Sequence, residues 1–339
     1  MRMRILGQTG LEVSELCLGT GTFGGKGIYK RSGEVTQNGA NEIVAMAMDA
    51  GINFFDTAEI YSEGLAEEIL GSALAGRRKD AILITKVAPD YACEAAKGGG
   101  LSRKRIIDGC ERSLKRLRTD YIDVYEIHVF DPETPLEETI DALDSLVRQG
   151  KVRYTGCSNF SGWQIMKSLA VSDAHEWARF RTLEAKYSLM TRELENELIP
   201  VCLDQGVGIV VFSPLYGGFL SGKYARDLEW PVGTRFPSAS DTGRYPLVQE
   251  KLFTVVDELR RIAVSRETTV PHVALNYLLR KPGVSSLIIG VRDTRQLADN
   301  LNATDWELTP DEVAALDRVS EPPGLYPYSD QKIRLNTKT

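Results

Sequence analysis

The sequence predicts an α/β protein: a single (β/α)₈ TIM barrel with an N-terminal β-hairpin as a plug and extra helices near the C-terminus. Short apolar runs alternate along the chain with stretches that have the period of amphipathic helices. Most of these runs are almost continuously hydrophobic, which is typical of parallel strands buried on both faces. Alternation by itself does not close a barrel, so a doubly wound open sheet is the structural alternative.

The strands can be placed one by one. A hairpin precedes them, because residues 4–6 and 11–13 flank a turn at residues 8–10, and we expect this hairpin to close the bottom of the barrel. The predicted barrel strands are residues 16–19, 52–55, 82–85, 122–128, 152–156, 182–185, 208–212 and 287–289. No low-complexity segment or linker rich in Pro, Gly and Ser divides the 339 residues, so we expect one domain over residues 1–339.

Helices between the strands are indicated by apolar spacing and by start signals. Two sets of apolar residues recur at helical spacing: Ile107, Cys110, Leu114 and Leu117, and Ile140, Leu143 and Val147. Two capping boxes, each with proline at the first helical position, predict helix starts: Thr134 with Glu137, and Thr309 with Glu312. Residues 88–100 and 221–246 have no periodic pattern, and loops of that length are usually functional lids or disordered.

Composition and charge exclude several classes of protein. There are 41 Lys and Arg residues against 47 Asp and Glu, and no basic tract, which argues against non-specific binding to nucleic acid or anionic membranes. The N-terminus has no apolar core of a signal peptide, and the longest uncharged run, 205–222, is interrupted by Pro214 and several glycines. Five scattered cysteines without a Cys-x-x-Cys pair predict reduced thiols in a cytoplasmic protein, with no disulfide framework and no metal site.

Two glycine-rich motifs resemble nucleotide-binding loops but are incomplete. Residues 19–24 fit G-x-G-x-x-G, yet Gly25 and Gly27 follow and no helix opens, so a Rossmann site is disfavoured. Residues 217–223 resemble a P-loop, but the next residue is Tyr224 where a Ser or Thr would hold magnesium. This second segment can still let backbone N–H groups approach a pyrophosphate.

Titratable residues follow several predicted strands at the point where each strand ends. Asp56, Lys86 and His128 close three apolar runs, and Tyr61 lies five residues past Asp56 in the following loop. In a (β/α)₈ barrel these strand ends meet at one mouth, where active sites are built. We therefore expect these side chains to form a catalytic group, whereas His175, predicted in a polar loop, and His272, at a helix start, are predicted to be structural.

The motifs around these residues resemble those of the aldo-keto reductase family, and of its bacterial-type members in particular. The matching segments, in family order and over nearly the whole chain, are residues 51–61 (GINFFDTAEIY), 84–86 (ITK), 121–128 (YIDVYEIH), 152–160 (VRYTGCSNF), 211–215 (VFSPL) and 289–300 (IGVRDTRQLADN). The resemblance implies a barrel that binds NADPH (or NADP⁺) across its mouth and reduces carbonyls without metal or flavin.

The resemblance assigns roles to the catalytic group. Hydride delivery to a carbonyl carbon leaves charge on oxygen, so a proton donor is needed. A free tyrosine has a pKa near 10, and a nearby ammonium lowers it. By resemblance, Tyr61 is the general acid, Lys86 and Asp56 are the pair that tunes its pKa, and His128 orients the carbonyl.

The resemblance also implies which residues bind the cofactor. The expected contacts run from the nicotinamide to the adenosine end: Thr20, Gly21, Ser158, Asn159, Glu184, Phe212, Ser213, Leu215, Gly217, Lys223, Gly290, Arg292, Gln296 and Asn300. Arg292 suits a 2′-phosphate through its charge and planar fork. Glu184 departs from the family, which often has glutamine where the carboxamide binds. It is expected to accept a hydrogen bond from the carboxamide, or else to form a plain pair with Lys186 on the barrel wall.

The leading prediction is an NADPH-dependent oxidoreductase that reduces a small aldehyde, ketone or oxidised sugar, in either direction. Aromatic residues that can wall the substrate pocket, or simply pack, are Phe23, Tyr29, Phe130 and Trp163, and the aromatic tail at residues 321–328 can reach the mouth. Two alternatives stay open. One is a nucleotide-sensing regulatory subunit, since potassium-channel β subunits resemble the same fold, and the other is a lyase that forms a Schiff base on Lys86. Neither a nucleic acid nor a membrane is an expected partner, and an oligomer is possible.

Overall fold

The computed structural model describes residues 1–89, 100–224 and 250–331, and within them the chain forms a hairpin, a closed barrel and an outer ring of helices. The strands of the hairpin are β1 (Met3–Ile5) and β2 (Glu12–Ser14), which pair antiparallel. The barrel strands are β3 (Leu16–Gly19), β4 (Phe54–Asp56), β5 (Ile82–Val87), β6 (Ile122–Ile127), β7 (Val152–Ser158), β8 (Phe180–Lys186), β9 (Gly208–Phe212) and β10 (Val284–Gly290).

The barrel is closed by parallel pairing between its last strand and its first. Leu287 of β10 pairs with Leu16 of β3, and Gly290 pairs with Gly19. All the predicted barrel strands are present, so the barrel prediction is confirmed and the open-sheet alternative is wrong. The bounds differ by a few residues, as when the strand expected at 52–55 begins at Phe54 and includes Asp56.

The lower half of the barrel is an apolar core that the hairpin covers. Leu6 and Val13 of the hairpin region are fully buried in one cluster with inward-facing side chains of the barrel: Cys17, Phe54, Ile84, Val124, Val210 and Ile288. The turn also contacts the rim, since the Tyr154 hydroxyl donates to the carbonyl of Thr9 at 2.5 Å. These contacts confirm the predicted plug, and among the described residues they leave the opposite end of the barrel for a site.

The helices surround the barrel and close its C-terminal side. They are α1 (Gln37–Asp49), α2 (Leu65–Ala73), α3 (Arg103–Leu117), α4 (Leu136–Arg148), α5 (Gly162–His175), α6 (Leu198–Gln205), α7 (Glu250–Ser265), α8 (Val270–Leu279), α9 (Thr294–Leu301) and α10 (Pro310–Ser320). The amphipathic sets predicted for α3 and α4 lie within these bounds, with Cys110 and Leu143 fully buried. The last helices include the predicted C-terminal additions.

Helix starts agree with the sequence in one case and not in the other. The capping box of Thr309 and Glu312 is present at the start of α10. The box predicted at Thr134 is wrong, because the Thr134 hydroxyl donates to the Asp131 carboxylate at 2.5 Å and α4 begins only at Leu136. His175 ends α5 and so does not lie in the loop expected for it.

Some predictions fall on residues that are not described. The patternless stretches at 88–100 and 221–246 lie largely outside the described residues, which exclude 90–99 and 225–249. Cys17, Cys110, Cys157 and Cys202 are buried free thiols. Among the helices that the structure describes, none is long and apolar enough to cross a membrane.

Candidate active site

The open end of the barrel contains a cavity of about 480 Å³. Strand ends deliver the catalytic candidates to it, as expected: Asp56 ends β4, Lys86 lies near the end of β5, and His128 directly follows β6. Tyr61 begins a short 3₁₀ turn after β4. Asp56, Tyr61 and His128 line the cavity, whereas Lys86 lies fully buried behind it. The structure therefore brings the four predicted catalytic residues together.

Lys86 is a buried ammonium held between carboxylates. Its Nζ contacts Asp56 Oδ1, lies 3.0 Å from Glu184 Oε2, and donates to the carbonyl of Thr57 at 3.0 Å. Burial works against its charge, but the carboxylates of Asp56 and Glu184 outweigh burial and raise the pKa of Lys86 well above its ordinary value. Lys86 therefore stays positively charged across the physiological pH range.

Tyr61 packs between Lys86 and two further rings. Lys86 Nζ lies 5.3 Å from the centroid of the Tyr61 ring, the His128 ring meets it edge-on at 5.9 Å, and the Tyr29 ring tilts against it at 4.9 Å. Burial and then the charge of Asp56 raise the pKa of Tyr61 well above its ordinary value, although Lys86 acts in the opposite direction. The ammonium of Lys86 acts in the predicted direction, but burial and the charge of Asp56 outweigh it in the protein alone.

The loop that carries Tyr61 has a strained backbone, which buried polar contacts hold in place. Ser62 and Glu63 both have left-handed backbone conformations, with φ of 50° and 60°, which side-chain-bearing residues adopt only when surrounding contacts hold them. The Ser62 hydroxyl donates to the Phe23 carbonyl at 2.6 Å. Glu59 accepts from the Ala88 N–H at 2.9 Å and pairs with the buried Arg105. These contacts set where the phenol points.

Glu184 lines the cavity and pairs with Lys86, not with Lys186. It is 2% exposed, and its carboxylate makes the 3.0 Å contact with Lys86 described above. Lys186 instead lies over the Tyr216 ring, 5.1 Å from its centroid. The alternative of a plain Glu184–Lys186 pair on the wall is therefore wrong, and the cation that contacts Glu184 belongs to the catalytic group.

Glu126 is a functional candidate that the sequence analysis missed. It is fully buried on β6, in register with Lys86 on β5, and its Oε1 accepts from the Thr182 hydroxyl at 2.6 Å. Gly156 makes room for this contact, because a Cβ there would lie 1.9 Å from Thr182 Oγ1. Burial raises the pKa of Glu126 to about 7. Its position on β6, two residues before His128, is a signal that could have found it.

Most of the residues predicted to bind a cofactor line the same cavity. Those that do are Gly21, Asn159, Glu184, Phe212, Ser213, Leu215, Gly217, Lys223, Gly290, Arg292, Gln296 and Asn300. Thr20 and Ser158 are fully buried and do not line it. They act behind the wall: the Thr20 N–H donates to the Asp56 carbonyl at 2.9 Å, and Ser158 Oγ accepts from Asn159 at 2.9 Å.

Two polar residues of the cavity wall have left-handed backbone conformations. Asn159 has φ of 58° and donates to the carbonyl of His128 at 3.0 Å, which joins the ends of β6 and β7. Ser213, directly after β9, has φ of 55°, and Gly217 and Gly218 continue the turn with φ of 71° and 100°. Gly218 suits this turn because its φ of 100° is a conformation that residues with a side chain rarely adopt, and Lys223 Nζ lies beside it. The segment after β9 is therefore a tight turn with a cation beside it.

The far end of the cavity is built around the start of α9. The Asp293 side chain caps this helix by accepting from the Gln296 N–H at 2.8 Å, and Gln296 Oε1 accepts from the Arg292 N–H at 3.0 Å. The Arg292 guanidinium donates to the carbonyl of Ser32 at 3.0 Å, so it is held against the loop after β3. Backbone contacts thereby fix the position of a guanidinium at this end.

The aromatic residues predicted to wall the substrate pocket differ in whether they reach the cavity. Tyr29 lines the cavity, but Phe23 is fully buried, so it packs. Phe130 and Trp163 lie 5.6 Å apart, ring to ring, and Trp163 is 57% exposed, but neither lines the cavity. Residues 321–328 contribute nothing to the lining, and Tyr326 is 84% exposed.

Comparison with known proteins agrees with this geometry. The model of the aldo/keto reductase family matches residues 15–321. The chain belongs to the aldo/keto reductase family. An uncharacterised oxidoreductase of Bacillus subtilis (strain 168), YrpG, is 36% identical over 335 residues, 96% of this chain and 97% of that protein. A probable voltage-gated potassium channel subunit beta of Oryza sativa subsp. japonica is 34% identical, with 94% of this chain and 96% of that protein covered. A putative one of Schizosaccharomyces pombe (strain 972 / ATCC 24843) is also 34% identical, with 93% and 92% covered.

Membership of the aldo/keto reductase family makes the chain an oxidoreductase enzyme of a family that generally uses nicotinamide cofactors and small-molecule substrates. The incomplete Rossmann motif is accounted for, since Gly19 ends a barrel strand in this fold. Within the described ranges, no group of His, Cys, Asp and Glu side chains has the arrangement of a metal site.

Proposed function

We propose that this aldo/keto reductase reduces the carbonyl of a small aldehyde, ketone or oxidised sugar, reversibly, with NADPH as the hydride donor. One observation carries the proposal: the buried Lys86 ammonium lies between Asp56 and the Tyr61 ring at one end of a cavity whose other end holds Arg292. An acid and an anion-binding cation at opposite ends of one cavity suit a dinucleotide that reaches from one to the other.

The cavity wall fits an extended cofactor. Gly21 and Gly290 both line it, and a Cβ added at either would meet nothing closer than 4.0 Å and 3.8 Å respectively. These two glycines therefore leave open space against the cavity where a side chain would project. Arg292, Gln296 and Asn300 would hold the adenosine end, and the turn from Ser213 to Lys223 would hold the pyrophosphate.

The chain's own residues then handle the proton and the carbonyl. The cofactor supplies the hydride when it is bound. Tyr61 donates its hydroxyl proton to the carbonyl oxygen, and its raised pKa keeps it protonated at neutral pH, as a donor must be. Lys86 stabilises the phenolate that remains, and Asp56 holds Lys86 in place. His128, edge-on to the Tyr61 ring, orients the carbonyl.

The test of this proposal is the loss of NADPH absorbance against a panel of aldehydes, ketones and keto-sugars, with wild type and Tyr61→Phe side by side. The variant lacks only the hydroxyl group that donates the proton, so it should bind NADPH normally and lose nearly all carbonyl-reducing activity. General-acid catalysis usually contributes about 10²–10⁴-fold. A variant that keeps more than about a tenth of the wild-type kcat would therefore contradict the role of Tyr61. Tyr29→Phe, which removes the neighbouring hydroxyl, is the matched control.

A cofactor-sensing regulatory subunit is the second candidate, and the relatives named as potassium channel β subunits favour it. NADPH binding without turnover on any substrate of the panel would support this function over that of a reductase. A Schiff-base lyase is disfavoured by the structure, because a nucleophilic amine must be neutral and the contacts of Lys86 favour its charged form. Borohydride trapping with a carbonyl substrate tests this third function directly.

The predictions of one domain over residues 1–339, a cytoplasmic location and a possible oligomer stay predictions. Size-exclusion chromatography with light scattering measures the oligomeric state, and limited proteolysis measures whether the chain is cut into stable parts.

A further inference from the structure

The cluster of buried ionisable side chains beside the cavity contains three carboxyl groups and one amine. Asp56, Glu126 and Glu184 are each at most 2% exposed, and Lys86 is the ammonium that they surround. With every group ionised, three negative charges would face one positive charge inside a closed barrel. Buried like charges cannot all stay ionised, so the group retains protons on its carboxyls.

Contacts indicate which carboxyl is ionised and which carries a proton. Asp56 accepts a hydrogen bond from Lys86 Nζ, whereas Glu184 Oε2 lies 3.0 Å from that nitrogen and has no hydrogen-bond partner among the described residues. Two buried carboxyl groups that share one ammonium do not both stay ionised, so one of them carries a proton. Burial raises the pKa of Asp56, and the charge of Lys86 with its hydrogen bond to Asp56 opposes this rise. For Glu184 the largest influences, burial and the charge of Asp56, both raise the pKa. Asp56 is therefore the anion of the pair and Glu184 is the acid.

Glu184 is also the protonated carboxyl that faces the cavity. It lines the cavity, whereas Glu126 does not, and the Oε1 of Glu126 accepts a hydrogen bond from the Thr182 hydroxyl. The titratable groups that interact with Glu184 come from the neighbouring strands and the first loop, and they are Cys17, Asp56, Tyr61, Lys86 and Glu126. His128 lines the same cavity. Of the three buried carboxyl groups, Glu184 is therefore the one that both carries a proton and lines the cavity.

We propose that Glu184 holds an exchangeable proton in the resting protein and releases it when a cationic ring enters the cavity. This inference rests on the proposed function, in which that ring is the oxidised nicotinamide. A neutral carboxylic acid resembles glutamine in shape and hydrogen bonding, so the reduced, neutral ring leaves Glu184 protonated. A cationic ring favours the carboxylate, and the proton leaves for solvent. Binding of NADP⁺ is thereby coupled to loss of a proton, and binding of NADPH is not.

The experiment counts the protons released when each cofactor binds. Isothermal titration calorimetry in two buffers of different ionisation enthalpy gives this number for NADP⁺ and for NADPH at several pH values. The two cofactors share their phosphates, so the difference between them isolates the charge of the ring. We expect wild type to release up to about one proton more with NADP⁺. By linkage, the ratio of the two dissociation constants should then change by up to about tenfold per pH unit.

Variants assign the proton to a residue. Glu184→Gln keeps the shape of the neutral acid, and it should abolish both the extra proton and the pH dependence of the ratio. Glu126→Gln is the matched control and should keep both. Equal proton release for the two cofactors in wild type would overturn the inference while leaving the proposed function intact. An extra proton that persists in Glu184→Gln would assign it to another group, such as Tyr61, and would overturn the inference too. Failure of both cofactors to bind would overturn the proposed function and the inference with it.

Discussion

Replacing Lys86 by Met should destabilise the fold by an amount that depends on pH. The methionine fills most of the space of the lysine stem but removes the ammonium that lies 3.0 Å from Glu184 and contacts Asp56. At that separation and an effective dielectric of about 20, one such pair is worth roughly 5–6 kcal/mol before the cost of burial. Without the ammonium, Asp56 becomes a buried anion with no cation beside it.

The size of the effect follows from the proton that the variant must take up. To fold, the variant has to protonate Asp56, whose pKa in the unfolded chain is about 3.9. Keeping such a group protonated at pH 7 costs about 1.36 kcal/mol for each pH unit above that value, or about 4 kcal/mol. This agrees with the roughly 3–5 kcal/mol measured when one partner of a buried ion pair is removed.

The sign of the pH dependence follows from the same proton. In the variant the folded state binds one more proton than the unfolded state, so the free energy of unfolding falls as pH rises from about 4 to 7. The pKa of Lys86 is raised in the folded protein. In wild type its contribution to the free energy of unfolding is therefore complete below the pKa of lysine in the unfolded chain, and it stays constant from about pH 4 to 7. The gap between wild type and variant should therefore be about 4 kcal/mol at pH 7 and nearly close at about pH 4.

Urea unfolding at pH 4, 5, 6 and 7 measures this gap. Lys104→Met is the matched control: it removes a lysine from an ion pair with Asp108 whose lysine side chain is 85% exposed, and it should change little at any pH. The same Lys86→Met protein should lack carbonyl reduction at neutral pH. A gap below about 1 kcal/mol at pH 7, or one that does not change with pH, would show that Lys86 does not keep Asp56 ionised.

Three further perturbations test other parts of the molecule. Asp56→Asn should lower kcat less than Lys86→Met, since Glu184 still contacts the ammonium; equal losses would contradict this. Arg292→Ala should weaken NADPH binding by about 1.5–3 kcal/mol, the scale of hydrogen bonds to charged groups, and leave NADH nearly unaffected, as fluorescence titration would show. Equal weakening of both would mean that Arg292 does not bind the 2′-phosphate. Leu6→Ala in the plug should cost about 2–5 kcal/mol of unfolding free energy in urea, without changing Kd for NADPH.

The fold was predictable because its signals are local. Near-continuous apolar runs and helical periods do not depend on distant parts of the chain, and they placed every barrel strand within a few residues. Closure of the sheet was not visible in the sequence, since it depends on pairing between residues as distant as Leu16 and Leu287. The cap at Thr134 failed for a similar reason: the motif was right, but Asp131 was a better partner for the hydroxyl.

The positions of the site residues were predictable, but their charges were not. Strand ends converge by topology, so Asp56, Lys86 and His128 could be placed at one mouth from their spacing alone. Which carboxylates surround the ammonium depends on barrel closure, which brings Glu184 of β8 across to Lys86 of β5. The nearer cation in sequence, Lys186, points to Tyr216 instead.

That single contact changes the electrostatics of the proposed acid. If only one carboxylate lay beside Lys86, more of the electrostatic field of the ammonium would act on Tyr61 and lower its pKa, as the sequence suggested. Burial is the largest cause of the raised pKa of Tyr61, and a carboxylate at Glu184 would add to the rise by offsetting the field of Lys86. If Glu184 is the neutral partner, as we infer, its ionisation state sets how much of the field of Lys86 reaches the phenol. The residue that departs from the usual glutamine would then influence both the charge preferred at the ring and the acidity of the proton donor.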